Sequence, residues 1–308
     1  MPREAFVHVA PSDHPWADAA REAVGRGGGT LGGLAESEAV VWLDARADAV
    51  IDVLHDRVRW LQFRNAGVDA LIDAGLIDDR RVFTAARGIY AGGVAEHALT
   101  LILASLGGLR DAVRTSPSRN ATPAPRTLAG LTVAIVGAGG IGTTLAALLR
   151  PFGSRIVGVT RTGRVVPDCD VSLPADRLDE VWPMADVVVL CAPATPATVG
   201  LVDRDVLRAM RTDAILVNVA RGTLVDTDAL VEALDGGWIG GAALDVTTPE
   251  PLPDDHPLWR EPRAIITPHS ANPSSAQRGL LCEMVTENVR RFLAGEELLG
   301  VVDPEAGY

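Results

Sequence analysis

The chain has 308 residues, 47% of them hydrophobic and 22% charged, with a net charge of −12 when histidine is neutral. That length accommodates two domains with substantial cores, and the acidic balance argues against nucleic acid or an anionic membrane surface as a partner. All 28 basic residues are arginine, which excludes chemistries built on a lysine amine, Schiff-base and pyridoxal-phosphate catalysis and the P-loop among them.

Cys169, Cys191 and Cys282 are far apart and form no C-x-x-C, so neither a disulfide framework nor a metal site is expected. The opening MPREAFVHVA has no apolar leader core, and no apolar run reaches the roughly 18 residues of a membrane helix. A cytoplasmic protein is the expectation.

The first part of the chain alternates strand and helix. Ala5–Val9 reads as a strand and Trp16–Val24 as a helix with Ser12 or Asp13 near its cap, while GRGGGTLGG (Gly25–Gly33) reads as a flexible turn. Ala39–Leu43 (strand), Ala47–Leu54 (helix) and Trp60–Arg64 (strand) follow. NAGVD (Asn65–Asp69) is a turn whose backbone N–H groups can face a ligand. After a strand at Val82–Thr84 and a loop at Arg87–Gly93, Val94–Leu109 is apolar on nearly every face, with Glu96 placed in its first turn. Such a helix is buried, in a core or against a partner. Thr115–Pro125 reads as a polar loop.

Leu131–Thr144, LTVAIVGAGGIGTT, is the most informative stretch. A buried strand, Thr132–Val136, runs into Gly137, Gly139 and Gly142, and a small apolar helix follows: the context that gives G-x-G-x-x-G its meaning. The first glycine permits the turn, the second lets backbone approach a pyrophosphate, and the third lets helix pack on strand. Gly140 and Ile141, at the helix N-terminus, complete the expected cradle.

An NAD site usually places a carboxylate about 20 residues further on, at the end of the second strand. Here strand Arg155–Thr160 runs into Arg161-Thr162-Gly163-Arg164 instead. Thr160, Arg161, Thr162 and Arg164 suit a 2′-phosphate that an aspartate would repel, so NADP is the preferred cofactor. NAD is the alternative, with Arg161 merely stacking on adenine and both cofactors binding.

Strands at Asp186–Cys191, Ala214–Val219, Gly241–Leu244 and Ala264–Thr267 alternate with helices at Val206–Met210 and Thr227–Leu234, before a last helix, Ser274–Leu293, that stops at Gly295. The pattern predicts an α/β fold with parallel, doubly wound sheets, whose ligands lie beyond the carboxyl ends of strands. Those ends carry Ala220-Arg221, Asp245 with Glu250 beyond it, and Pro268-His269. The trio fits hydride transfer to a 2-oxo acid. Arg221 would pair with the substrate carboxylate or polarise its carbonyl, and His269 would give and take the proton. Glu250 would fix the His269 tautomer and stabilise its imidazolium.

The segments GAGGIG, NVARGTLVD (Asn218–Asp226), ALDVTTPEPL (Ala243–Leu252) and ITPHSA (Ile266–Ala271) resemble signatures of the D-isomer-specific 2-hydroxyacid dehydrogenases, of the glyoxylate/hydroxypyruvate reductase kind. NAGVD and VAEHALTLIL resemble that family's substrate loop and linking helix, and the likeness runs through most of the chain in family order. The resemblance implies a flavodoxin-like substrate domain built from residues 1–94 and 273–308, with a central Rossmann dinucleotide-binding domain, residues 95–272, inserted into it and the active site in the cleft between them. It implies Arg221, Glu250 and His269 as the catalytic set, with amides near Ala66 and Gly67, besides Arg221 and His269, on the substrate. Ala192, Pro193 and Thr198 would lie along the cofactor with Val219 and Ala220, and Asp245 would face the nicotinamide carboxamide. The activity implied is reduction of a small 2-oxo acid to a D-2-hydroxy acid, in a homodimer joined through Val94–Leu109. The competing reading is a nucleotide-sensing binding protein, as in co-repressor relatives of the fold.

Overall fold

The computed structural model describes residues 5–44, 46, 48–114 and 125–304. Most of the loop expected at Thr115–Pro125, and Ala47, lie outside the described residues. In chain order the elements are β1 (Phe6–Ala10), α1 (Ala17–Arg26), β2 (Thr30–Leu31), β3 (Ala39–Trp42), β4 (Trp60–Phe63), α2 (Asp69–Asp73), β5 (Val82–Thr84), α3 (Ala91–Leu106) and α4 (Leu109–Arg114). Then come β6 (Thr132–Val136), α5 (Gly140–Leu149), β7 (Arg155–Thr160), β8 (Val171–Pro174), α6 (Leu178–Val181), β9 (Val187–Leu190), α7 (Arg204–Ala209), β10 (Ile215–Asn218), α8 (Thr227–Asp235), β11 (Gly241–Leu244), β12 (Ala264–Ile266) and α9 (Ser274–Ala294). They form two compact units, residues 1–90 with 273–308, and residues 91–272.

The first unit is a parallel sheet of order β2-β1-β3-β4-β5, the flavodoxin-like arrangement. Apolar side chains cover both faces: Val7, Val9, Val41 and Trp60 pack with α1 and α9, and Val40, Leu61, Phe63 and Phe83 form the opposite layer. Strands buried on both sides read as continuous apolar runs, which is why Ala39–Trp42 was legible. A polar network crosses this interior. Asn288 of α9, fully buried, donates to Gln62 Oε1 at 2.9 Å and to Leu299 O at 3.0 Å, and accepts the Leu299 N–H at 2.7 Å. Asn288→Leu takes a donor from the buried Gln62 Oε1 and removes the partner of the part-buried Leu299 N–H and C=O, so we expect a loss of about 2 kcal/mol in urea unfolding. An unchanged midpoint would show the network to be dispensable.

The second unit is a parallel sheet of order β12-β11-β10-β9-β6-β7-β8. Counted from β6, this is the Rossmann order with one strand added, and chain direction across the sheet reverses between β6 and β9. The face formed by Val133, Ile135, Val187, Val189 and Val217 is covered by α3 and α5, and Ala134, Val188, Leu190 and Leu216 face the other layer.

Several expectations need correction. The Gly25–Gly33 turn contains edge strand β2, paired to β1. Asn65–Asp69 runs straight into α2, and the helix expected at Ala47–Leu54 is a tighter 3-10 segment, Asp48–Val53. Neither Ser12 nor Asp13 caps α1, whose N-cap is Trp16. The apolar helix begins at Ala91, so Gly92 and Gly93 are helical and Glu96 lies beyond the first turn. It stops at Leu106 because Gly108 adopts φ +59, after which α4 begins. Gly92, Glu96, Thr100 and Leu103 form an exposed stripe along it. Strand β8 was missed, since its Pro174 reads as a breaker; it is an edge strand, where proline is tolerated.

Candidate active site

The three glycines of the β6–α5 turn have three separate jobs. Gly137 sits at φ +88 and a Cβ there would run into the Ala192 backbone, so this turn admits only glycine. At Gly139, the α5 N-cap, a Cβ would meet nothing nearer than Gly137 O at 3.9 Å: the space above the helix N-terminus is open. A Cβ on Gly142 would fall 2.8 Å from Ile135 Cγ2, so α5 can lie on β6 only without a side chain there. With Gly140 and Ile141 opening the helix, whose first N–H groups have no intrahelical acceptor, the turn fits a dinucleotide pyrophosphate.

The neighbouring strand ends complete this edge of the sheet. Thr160, last residue of β7, is 8% exposed and its Oγ1 is buried without a hydrogen-bond partner among the described residues. Arg161 and Thr162 beyond it are exposed, and Arg164 reaches back to donate to Ala138 O at 2.9 Å, joining the basic turn to the glycine loop. After β9, Ala192 lies against Gly137, and the Pro193–Thr198 turn closes on itself, Thr198 Oγ1 donating to Pro193 O at 2.6 Å. Val219 and Ala220 are buried where β10 ends.

The side chains with reaction chemistry follow on β10, β11 and β12. Asn218, fully buried, closes the first turn: its Nδ2 donates to Arg221 O at 2.8 Å and its Oδ1 accepts the Ala220 N–H at 3.0 Å. Arg221 is thereby held in extended backbone, with Nη1 donating to Ala220 O at 2.8 Å. A Cβ on Gly222 would strike the Thr247 carbonyl, so this glycine lets the loop leading to Glu250 pass against the Arg221 turn.

His269 and Glu250 meet directly: His269 Nδ1 is 2.6 Å from Glu250 Oε1, with the two side chains 51% and 43% exposed. The hydrogen bond occupies Nδ1 and leaves Nε2 for a reactant. His269 holds φ +50, a left-handed conformation that costs a non-glycine residue roughly 1–2 kcal/mol and persists only where surroundings enforce it. The enforcement comes from Asp245. Its carbonyl accepts the His269 N–H at 2.8 Å, and its carboxylate accepts the Thr267 hydroxyl (2.6 Å) and the Ser270 (2.8 Å) and Ala271 (3.0 Å) amides. Burial alone would raise the Asp245 carboxyl; hydrogen bonds from His97, Thr267, Ser270 and Ala271 outweigh it and hold it down at about 2. Asp245 is therefore an ionised anchor bound by donors of its own chain.

Ala66 and Gly67 follow β4 in the first unit and are partly buried. The cysteines offer no rival nucleophile, since burial pushes the Cys191 thiol up to about 12 and, aided by Asp170 and Asp168, Cys169 up to about 11. Reasoning from sequence missed Asn218, His97 and Thr267. The available signals were a polar residue closing an apolar strand and a lone histidine in an apolar helix; the partners of Thr267 and His97, 22 to 170 positions away, were not visible.

Residues 99–271 match the family model of the D-isomer specific 2-hydroxyacid dehydrogenase, NAD binding domain. A glyoxylate reductase of Korarchaeum cryptofilum is 38% identical over 176 residues, 57% of this chain and 53% of that enzyme, so the chain matches about half the length of that relative. Over 99% of both chains the fold superposes with TM-score 0.86 on a D-isomer specific 2-hydroxyacid dehydrogenase of Xanthobacter autotrophicus, solved with NADPH and MES, at 28% identity. An NADPH-dependent glyoxylate/hydroxypyruvate reductase of Sinorhizobium meliloti, solved with NADP and sulfate, gives TM-score 0.82 at 25% identity, covering 99% of this chain and 100% of that one. With a matching family model, two parallel α/β units and a fitting glycine loop, the chain belongs to the D-isomer specific 2-hydroxyacid dehydrogenase family.

Proposed function

We propose that this protein reduces a small 2-oxo acid, of the glyoxylate or hydroxypyruvate kind, to a D-2-hydroxy acid, with NADP preferred over NAD. The observation that carries the reading is the 2.6 Å His269–Glu250 hydrogen bond on the sheet edge that also bears the glycine loop. When bound, the nicotinamide dinucleotide supplies the hydride. Gly137, Gly139, Gly140, Ile141 and Gly142 hold its pyrophosphate, and Ala192, Pro193, Thr198, Val219 and Ala220 line it. Arg221 binds the substrate carboxylate. His269 donates the Nε2 proton to the substrate's carbonyl oxygen as it becomes a hydroxyl, and takes one back in the reverse direction. Glu250 keeps the ring's other nitrogen engaged and stabilises the imidazolium that gives up this proton in reduction and re-forms in the reverse direction. The reading includes a homodimer, for which Leu103 and Leu148, 39% and 36% exposed, supply apolar area on α3 and α5.

The NADP preference is supported by the β7 end, which lacks a carboxylate and has Arg161 and Arg164 following the Thr160 hydroxyl, unpartnered among the described residues. NADPH in the Xanthobacter relative points the same way. The test follows nicotinamide absorbance with both reduced cofactors and a panel of 2-oxo acids. NADPH should be oxidised faster than NADH, and Arg161→Asp should shift the ratio toward NADH by about tenfold, the worth of one charge-assisted hydrogen bond. Cofactor binding without turnover of any acid would favour a sensing protein, and an unchanged ratio in the variant would take Arg161 off the phosphate.

A further inference from the structure

His97, partly buried on α3, has its Nε2 3.0 Å from Thr267 Oγ1 and 3.3 Å from Asp245 Oδ1. The Thr267 hydroxyl proton is spent on Asp245 Oδ1 at 2.6 Å, so that oxygen can meet His97 only as an acceptor. Nε2 must then carry a proton, an assignment fixed by the network. The segment from Thr267 to Ala271 is tied at four points to Asp245, and His97 adds a fifth tie at Thr267. Asp245 takes the Thr267 hydroxyl and the Ser270 and Ala271 amides on its carboxylate, and the His269 amide on its carbonyl. A segment holding a left-handed histidine has no conformational preference of its own for that state, so each tie matters.

We propose that His97 is a positioning residue of the reaction: by donating from Nε2 to Thr267 and Asp245 it locks the acceptor cradle that presents His269 to Glu250. The proposal rests on the reductase reading, because positioning matters only if His269 moves a proton. Its physical content is separable from turnover. Without the donor on α3, Thr267 Oγ1 loses the hydrogen bond it accepts from His97, and the Asp245 carboxylate loses one of the groups orienting it toward the Ser270 and Ala271 amides. The backbone around His269 then samples conformations in which the Glu250 hydrogen bond is broken. Glycine-loop geometry is untouched, since the described contacts of His97 lead to β11 and β12 and not to β6.

Two variants that fill the same space separate donation from packing. His97→Gln keeps an N–H near the Nε2 position, whereas His97→Leu keeps bulk and loses the donor. For His97→Leu we expect kcat to fall about tenfold, the worth of one hydrogen bond to a charged group, with KM for NADPH unchanged. We also expect hydrogen exchange at the Ser270 and Ala271 amides to accelerate about tenfold, read on the protein without cofactor. His97→Gln should restore both. If the two variants behave alike in exchange, or Leu matches the parent in exchange and kcat, His97 only fills space and the proposal fails. A parent protein that turns over no 2-oxo acid would sink the reductase reading instead, and the exchange comparison would still decide the positioning role.

Discussion

His269→Ala should lower kcat for 2-oxo acid reduction by about 10²- to 10⁴-fold, the range expected when a positioned acid–base group is removed, while NADPH affinity stays within a few-fold. The argument is geometric. Nδ1 is committed to Glu250 at 2.6 Å, which leaves Nε2 as the ring nitrogen for a reactant. The glycine loop reaches the pyrophosphate through β6 and α5, elements that His269 does not touch in any described contact. Titrating NADPH by fluorescence and measuring turnover on the same preparation separates the two quantities. An equal collapse of both would place His269 on the cofactor. His269→Gly adds a sharper control, because glycine occupies φ +50 without strain. It should unfold no more easily than the parent in urea and yet be as inactive as the alanine variant. That outcome would show that the backbone strain is maintained for the imidazole.

What was legible in the sequence follows from the range of the interactions involved. The glycine loop, the strand ends and Arg221, Glu250 and His269 lie in short runs whose chemistry is local, and a parallel sheet turns every strand into a continuous apolar word. The fold class followed from that alternation and from the family resemblance. The missed elements are those whose existence depends on a neighbour: β2 is two residues long and exists only against β1, and β8 is defined by its pairing with β7. The boundary of α3 was misjudged for another reason. Gly92 and Gly93 have poor helix propensity, but the burial of Ala91, Val94 and Ala95 overrides it. The supporting residues of the site were hidden in the same way. Thr267 and His97 are unexceptional in sequence, and only the fold brings them to each other and to Asp245, while Asn218 closes its own turn on Ala220 and Arg221.

Asp245→Asn should be the most damaging single-atom change in the site. The carboxylate accepts Thr267, Ser270 and Ala271 donors on its two oxygens while 1% exposed. An asparagine amide must turn its NH2 toward one set of them, so a buried donor meets a donor. The cost is roughly 2–4 kcal/mol of stability. Turnover should fall at least about tenfold through the loosened His269 segment, with NADPH affinity largely retained. A loss carried mainly by NADPH affinity would instead put Asp245 against the nicotinamide, as the family resemblance implies. The pH dependence gives an independent check with a definite sign. Asp245 is held at about 2 in the folded protein, below the ordinary carboxylate value near 4, so the unfolded chain binds the proton more readily. The resulting stability, roughly 2 kcal/mol, is fully present above pH 4 and drains away as pH falls from about 4 through about 2. Asparagine has no such proton to take up. The stability gap between parent and variant should therefore narrow by roughly 2 kcal/mol between pH 5 and pH 2, every other titrating group being common to both. A gap that stays constant across that range would mean that Asp245 does not hold the loop as an ionised acceptor.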